Sequence, residues 1–245
     1  LGLKDGYIGI EDNKPDAIEA IKKHATPNTH IYELETKYPQ GGEKQLIYAI
    51  TGREVPSGAL PAAVGCIVSN VGTTYAVYNA VVHGIPCIQR VVTVTGKGIK
   101  EPKVLMVRIG TSFEEVINYC GGLTDDIAKV ISGGPMMGFA IYNTCIPVVK
   151  GTSGILCLNR EEAYVEEPSN CIRCAKCTEV CPMGLMPIYI GAYSEKRDFA
   201  KCDEYNALDC IECGSCAFTC PARRPLVSEI RLAKREIQNM RRKNG

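Results

Sequence analysis

Apolar and polar positions change rhythm three times along the chain. In the first third, short apolar runs alternate with stretches of helical spacing. Tyr7 to Ile10 reads as a short strand, and Asp12 or Asn13 is placed to cap a helix opening at Pro15. Ala17, Ile18 and Ile21 fall on one face of that helix. His30 to Leu34 reads as a second strand. Gly41 and Gly42 then lead into a helix carrying Leu46, Ile47, Ala49 and Ile50, with Gly52 as its stop. After an apolar segment from Val64 to Ser69, a further helix is predicted from about Thr74 to Val82, halted by Gly84 and Pro86. Strands and helices in alternation imply an α/β layer.

From Pro86 to about Leu158 the spacing becomes that of strands. Ile88–Val94 and Val104–Ile109 are rich in β-branched residues, with Gly96 and Gly98 as turn signals between them. Ser112 and Glu115 form a capping-box pattern that opens a helix through Tyr119, closed by Gly121 and Gly122. Short strands follow around Ala128–Ile131 and Ile155–Leu158, so a small mixed sheet crossed by one helix is expected. Residues 159–170 are charged and read as a linker. Met186 to Leu208 has helical spacing at Ile188, Ala192 and Phe199. The last segment sets Leu226, Ile230, Ala233, Ile237 and Met240 along one stripe, which predicts a terminal helix packed on its neighbours.

Composition narrows the classes. The chain has 245 residues and a net charge of +1 with acids and bases interspersed, which leaves no general electrostatic case for nucleic acid. Its longest apolar run, Ala59–Val68, is broken by Pro61 and Gly65 and falls short of the roughly 20 residues of a membrane span. A soluble or peripheral protein is expected. The three histidines, His24, His30 and His83, sit in unrelated contexts. Cations on the last helix (Arg231, Lys234, Arg235, Arg241, Arg242 and Lys243) suit contact with anionic lipid or a partner, or simply the negative end of the helix dipole.

Cysteine carries the chemistry. Of fourteen cysteines, eight form two copies of one pattern, C-x2-C-x2-C-x3-C-P. The first copy is Cys171, Cys174, Cys177 and Cys181 before Pro182; the second is Cys210, Cys213, Cys216 and Cys220 before Pro221. This is the bacterial signature for [4Fe–4S] clusters, in which the cysteine before proline ligates the other cube. Cys171, Cys174, Cys177 and Cys220 are therefore assigned to one cluster, and Cys210, Cys213, Cys216 and Cys181 to the second. Zinc is disfavoured because its sites take four ligands, usually as two separated pairs. Disulfides are disfavoured in a chain of this size that can bury a core without them. Cys66, Cys87, Cys120, Cys145, Cys157 and Cys202 are scattered among apolar residues and read as small buried hydrophobes in a reducing interior.

Two glycine turns precede helices: Tyr38 to Lys44, and Asn70 to Thr74. Free N–H groups at a helix start bind phosphate, and glycine permits close approach. Each turn taken alone is more simply a connection. The same holds for Gly133–Gly138, expected as a tight turn at a domain junction.

Taken together, Glu11–Asp16, Lys37–Leu46, Asn70–Thr73, Gly133–Gly138 and the doubled cysteine run, in that order, resemble the C subunit of the Rnf ion-translocating ferredoxin:NAD+ oxidoreductase. The first two segments of the chain also resemble the 51 kDa flavoprotein subunit of complex I. The runner-up resemblance is to the cobalamin reductase of propanediol-utilising microcompartments. The resemblance implies three parts: a partial FMN/NADH-binding α/β domain over 1–84, a β-grasp (SLBB) domain over 85–158, and a helical two-[4Fe–4S] ferredoxin domain over 159–245. It implies electron transfer between NAD(H), FMN and the two clusters. The implied partners are the other membrane and iron–sulfur subunits and, indirectly, ferredoxin, at the cytoplasmic face of a bacterial or archaeal membrane. Carried over by motif, Tyr38, Gly41, Gly42, Glu43 and Lys44 lie beside the flavin or nicotinamide, and Asn70, Val71, Gly72 and Thr73 at the ribityl phosphate. A glycine-rich flavin loop and an N-G-A-E-C-E-P segment of the family would precede Leu1, so a chain opening there reads as a fragment or processed chain and is expected to hold FMN weakly, if at all. A non-catalytic iron–sulfur carrier, and a zinc protein that contacts nucleic acid, are the readings from other classes.

Overall fold

The computed structural model describes residues 4–244. Leu1, where the chain reads from sequence as a fragment or processed chain, lies outside the described residues. In the first part, β1 (Gly6–Glu11) and β2 (Thr29–Leu34) pair in parallel, joined by α1 (Pro15–His24). A parallel pair needs a crossover, which is why a helix sits between them. Helix α2 (Glu43–Thr51) packs against β1: a Cβ on Gly9 would come within 2.7 Å of Leu46 Cδ1 and 3.0 Å of Ile50 Cδ1. Gly52 closes α2 in the left-handed conformation that glycine adopts without cost.

Two expectations change here, and an apolar segment that periodicity leaves unassigned finds its form. Neither Asp12 nor Asn13 caps α1; Lys14 holds that position without a side-chain bond. The Asp12 carboxylate instead accepts from the backbone N–H and hydroxyl of Thr36, tying the end of β1 to the chain beyond β2. Helix α3 (Val71–Val82) begins three residues before the predicted Thr74, because the Asn70 side chain accepts from Gly72 N at 2.9 Å and caps it there. The apolar segment Val64–Ser69 forms no strand: a 3-10 turn over Pro61–Val64 opens it, and Ile67 is exposed.

The second part is a five-stranded sheet in the order β4-β3-β7-β5-β6. Its strands are β3 (Gln89–Thr95), β4 (Lys103–Arg108), β5 (Ile127–Ser132), β6 (Phe139–Ile141) and β7 (Gly154–Asn159). All pairs are antiparallel except β3 with β7. Only β6 was absent from the sequence-based expectation; three residues are too few for periodicity to register. Helix α4 (Phe113–Tyr119) crosses the sheet and buries Phe113, Val116 and Ile117 against Val92, Val94, Val130 and Ile155. Both halves of the predicted capping box form: Ser112 Oγ accepts from Glu115 N, and the Glu115 carboxylate accepts from Ser112 N, each at 3.1 Å.

The expected linker is partly structured. Asn159 caps a short helix, α5 (Arg160–Ala163), by accepting from Glu162 N. Arg160 N donates to Asp126 O and Lys97 N to the Glu162 carboxylate, so this turn closes the sheet.

The last part is helical: α6 (Lys176–Glu179), α7 (Pro187–Glu195), α8 (Phe199–Glu204), α9 (Ser215–Phe218) and α10 (Leu226–Asn244). Leu226, Ile230, Ala233 and Ile237 of α10 are buried as predicted, while Met240 is 39% exposed. On α7 the buried face is Pro187, Ile190, Gly191 and Ser194; the expected Ala192 points outward, because α10 crosses α7 on the other side. Among the single cysteines, Cys120, Cys157 and Cys202 are buried. Cys66 and Cys87 are half-buried, and Cys145 is exposed beside Glu114, which corrects the reading of all six as core.

Candidate functional site

The repeated sequence folds into a repeated backbone. Arg173 and Glu212, third in each run, both adopt φ of 57°, and Ala175 and Gly214, fifth in each run, are also left-handed. That conformation turns Arg173 N toward Cys171 Sγ (3.4 Å) and Glu212 N toward Cys210 Sγ (3.3 Å). The short helices α6 and α9 follow at matching positions and pack on each other. Gly184 and Arg223, three residues past each fourth cysteine, are left-handed as well and donate to Cys181 O and Cys220 O. Then α7 and α10 leave the two copies. Non-glycine residues held at positive φ mark places where the surroundings over-determine the backbone.

Cys181 of the first run lies with the second run. Cys181, Cys210, Cys213 and Cys216 border one narrow apolar cavity, closed by Leu185, Val227 and Ile230. On the other side Cys220 lies near enough to Cys177 that its charge adds to the burial raising the Cys177 thiol pKa. Burial pushes Cys216 up to about 12 and Cys210 upward too. A thiolate in such surroundings needs compensating positive charge, which a metal cluster supplies and which deprotonates the thiol outright. Among the described residues, no three His, Cys, Asp or Glu side chains converge on a single ion. The donor set, all thiol and shared around a cavity, fits a polynuclear iron–sulfur group.

The two runs differ in their surroundings. Cys171 and Cys174 are exposed, whereas Cys213 and Cys216 are each 7% exposed. The Tyr38 hydroxyl donates to Cys213 O at 2.8 Å, and burial followed by the charge of Cys213 raises the Tyr38 pKa. Gln45 Nε2 lies 3.1 Å from Met183 Sδ, beside the cavity, while Gln45 Oε1 is buried without a partner. Ser57 Oγ donates to the Asp209 carboxylate next to Cys210. A Cβ on Gly214 would come 2.9 Å from Met136 O, in the turn that reads from sequence as a junction. Lys234 on α10 donates to Cys210 O and to Glu212, each at 2.7 Å. Of these, Tyr38 was a site candidate from sequence and Lys234 was read as part of the basic tail; Gln45, Ser57 and Met136 sit in segments whose contacts come from other domains.

At the first glycine turn, Gly41 is exposed with open space around it, and Gly42 precedes α2, followed by Glu43 and Lys44, whose Nζ approaches Pro56 O at 3.5 Å. At the second, Asn70, Val71, Gly72 and Thr73 are exposed at the start of α3, none of whose twelve residues is buried. Among the described residues no hydrogen bond joins the two turns. Helix starts of this kind can hold a phosphate, and at the second one the Gly72 N–H is taken by the Asn70 side chain. The basic tail is less open than its sequence suggests: Arg231 and Lys234 pair with Glu212, and Arg241 with Asp203. No helix of the described residues is long and apolar enough to cross a membrane.

Comparison with known proteins follows the same three parts. Residues 1–79 match the Nuo51 FMN-binding domain, 91–140 the SLBB domain, and 163–221 the 4Fe-4S dicluster domain. The whole chain is 55% identical to the C subunit of the Na(+)-translocating ferredoxin:NAD(+) oxidoreductase complex of Acetobacterium woodii, covering 56% of that protein. Over 96% of its length it is 52% identical to the C subunit of the proton-translocating ferredoxin:NAD(+) oxidoreductase complex of Clostridium ljungdahlii, covering 52% of it. Over 97% it is 41% identical to the C subunit of the ion-translocating oxidoreductase complex of Rhodobacter capsulatus, covering 46%. The chain thus spans about half the length of these curated relatives. With three domain matches in succession and identity along nearly its whole length, the chain is similar throughout to the C subunits of ion-translocating oxidoreductase complexes.

Proposed function

We propose that this chain is an electron-transfer part of a membrane-associated, ion-translocating ferredoxin:NAD+ oxidoreductase, passing electrons between NAD(H), FMN and two [4Fe–4S] clusters. The observation that carries the reading is the cavity bordered by Cys181 together with Cys210, Cys213 and Cys216, residues from opposite copies of the motif. Cys171, Cys174, Cys177 and Cys220 make the second set. In each run the left-handed third residue directs a backbone N–H at the first sulfur, stabilising it as a thiolate. Gly41, Gly42, Glu43 and Lys44, with Tyr38 beside them, form the flavin or nicotinamide side, and Asn70, Val71, Gly72 and Thr73 face the phosphate end. FMN, when bound, exchanges two electrons with a nicotinamide and single electrons with clusters. The chain's own residues orient the phosphate through helix N-termini and exclude water from the inner thiolates. Domains of 1–84, 85–158 and 159–245 divide this work. The site partners are NADH, the other subunits of the complex and, through them, ferredoxin, with the chain held peripherally on the cytoplasmic face.

Anaerobic iron analysis is expected to find about eight irons per chain, with paramagnetic signals on dithionite reduction. Cys181→Ser is expected to alter the signal that Cys213→Ser also alters, and Cys220→Ser the signal that depends on Cys174. Damage confined to the neighbouring run in sequence would overturn the crossed ligand sets; iron far below that content would overturn the function.

A further inference from the structure

The two cysteine runs share a backbone but not an environment, and the difference lies on the side of the two preceding domains. At the fifth position of the run the first copy has Ala175, open to solvent, and the second has Gly214, against which Met136 O packs so closely that a Cβ would sit 2.9 Å from it. Cys171 and Cys174 are exposed, and Ile172 between them is 66% exposed. The cavity of Cys181, Cys210, Cys213 and Cys216 instead receives two side chains from the segment that opens α2, one on the second run and one on Met183, which follows Cys181. Tyr38 donates to Cys213 O, and Gln45 lays its amide between Gly42 and Met183. Gln45 Oε1 is the buried side-chain polar atom that lacks a partner among the described residues, so this amide is held by its place at the junction rather than by a full set of bonds.

We infer that Tyr38 and Gln45 are positioning residues for the cube of Cys181, Cys210, Cys213 and Cys216, and that this inner cube is the one the N-terminal domain addresses. The inference rests on the function proposed above. It assigns the two cubes unequal places: one against the glycine turn of Gly41–Lys44, the other at the outer face. Burial and hydrogen bonds around the sulfurs set a cluster's potential. Reduction adds negative charge, so a donor aimed at a ligand's backbone or at its packing neighbour favours the reduced state. Removing either donor therefore lowers the midpoint of the inner cube and leaves the outer one alone.

The experiment is an EPR-monitored redox titration of the anaerobically prepared full chain, comparing wild type with Tyr38→Phe and Gln45→Met. Cys174→Ser, at an exposed position, identifies the outer signal by its loss or change. The expected result is a shift to lower midpoint in the other signal for both variants, with the Cys174-dependent signal unmoved. A shift in the Cys174-dependent signal, equal shifts in both, or none in a protein holding both cubes overturns the inference while the proposed function stands. Iron far below two cubes in wild type overturns both. If circular dichroism shows that Gln45→Met does not fold, Tyr38→Phe, which removes a single oxygen, decides alone.

Discussion

Gly96 shows how one residue can hold a sheet together. It adopts φ of 109°, and a Cβ there would lie 2.0 Å from the backbone oxygen of Cys157 on β7. Neither backbone can yield without opening the strand pairing, so Gly96→Ala is expected to destabilise the folded chain by about 1–3 kcal/mol, read from urea unfolding. Gly41→Ala, in open space at the candidate flavin turn, is expected to change stability by no more than about 0.5 kcal/mol. Both are glycines in turns, and their neighbours in sequence do not tell them apart. The contrast between Ala175 and Gly214 is of the same kind: one motif position, two residue types, and a packing partner more than seventy residues away that explains the choice. Cys157 and Cys202 illustrate the opposite case. Burial pushes both thiols up to about 11, as expected of small core residues without chemistry.

At the scale of elements, local signals had local causes and were legible. Ser112 and Glu115 marked the start of α4 because both halves of the capping box lie within four residues. The junction of β5, β7 and α5 was less visible, since it depends on Asp126. Its carboxylate accepts from Thr124 Oγ1 at 2.7 Å and Asn159 Nδ2 at 2.9 Å, and these bonds hold its pKa below the ordinary 3.8. A carboxylate with a lowered folded-state pKa contributes stability above its unfolded value, and loses it as pH falls through the folded one. Wild type is therefore expected to melt above Asp126→Asn at pH 7, with the gap closing as pH drops below about 4. Thermal melts at several pH values would check this; a gap that widened in acid would contradict it. The end of α10 adds a further limit to periodicity: its stripe predicted four buried residues correctly, and the fifth, Met240, is 39% exposed.

Across the whole molecule, two kinds of core divide the chain. The sheet has a continuous apolar core from Val92 to Cys157 that contains no residue of either cysteine run. The helical part packs Ile190, Ile230 and Ile237 around and beside Cys181 and Cys210, and Cys177 and Cys216 against Leu226. Where ligands belong to the core, metal binding and folding are one equilibrium. Removing iron with a chelator under reducing conditions is expected to raise amide hydrogen exchange in α7 and α10 by more than tenfold. Exchange in β3, β5 and β7 should stay within about twofold. Equal loosening of both parts would show that the sheet depends on the clusters as well.

The amino-acid sequence by itself pointed to thiol ligands and determined the three-part order and most helix and strand positions, because thiol spacing, capping residues and apolar periodicity act over a few neighbours. It also pointed to the exchange of Cys181 and Cys220 through a known pattern rather than through any contact it could display. Only the tertiary structure decided that Cys213 and Cys216 are buried where all three parts meet while Cys171 and Cys174 face outward. Tyr38 and Met136 reach the second run from far along the chain, Ser57 reaches Asp209 just before it and Gln45 reaches Met183 beside the cavity, and such contacts leave no local trace because side-chain packing between distant segments has no period to read.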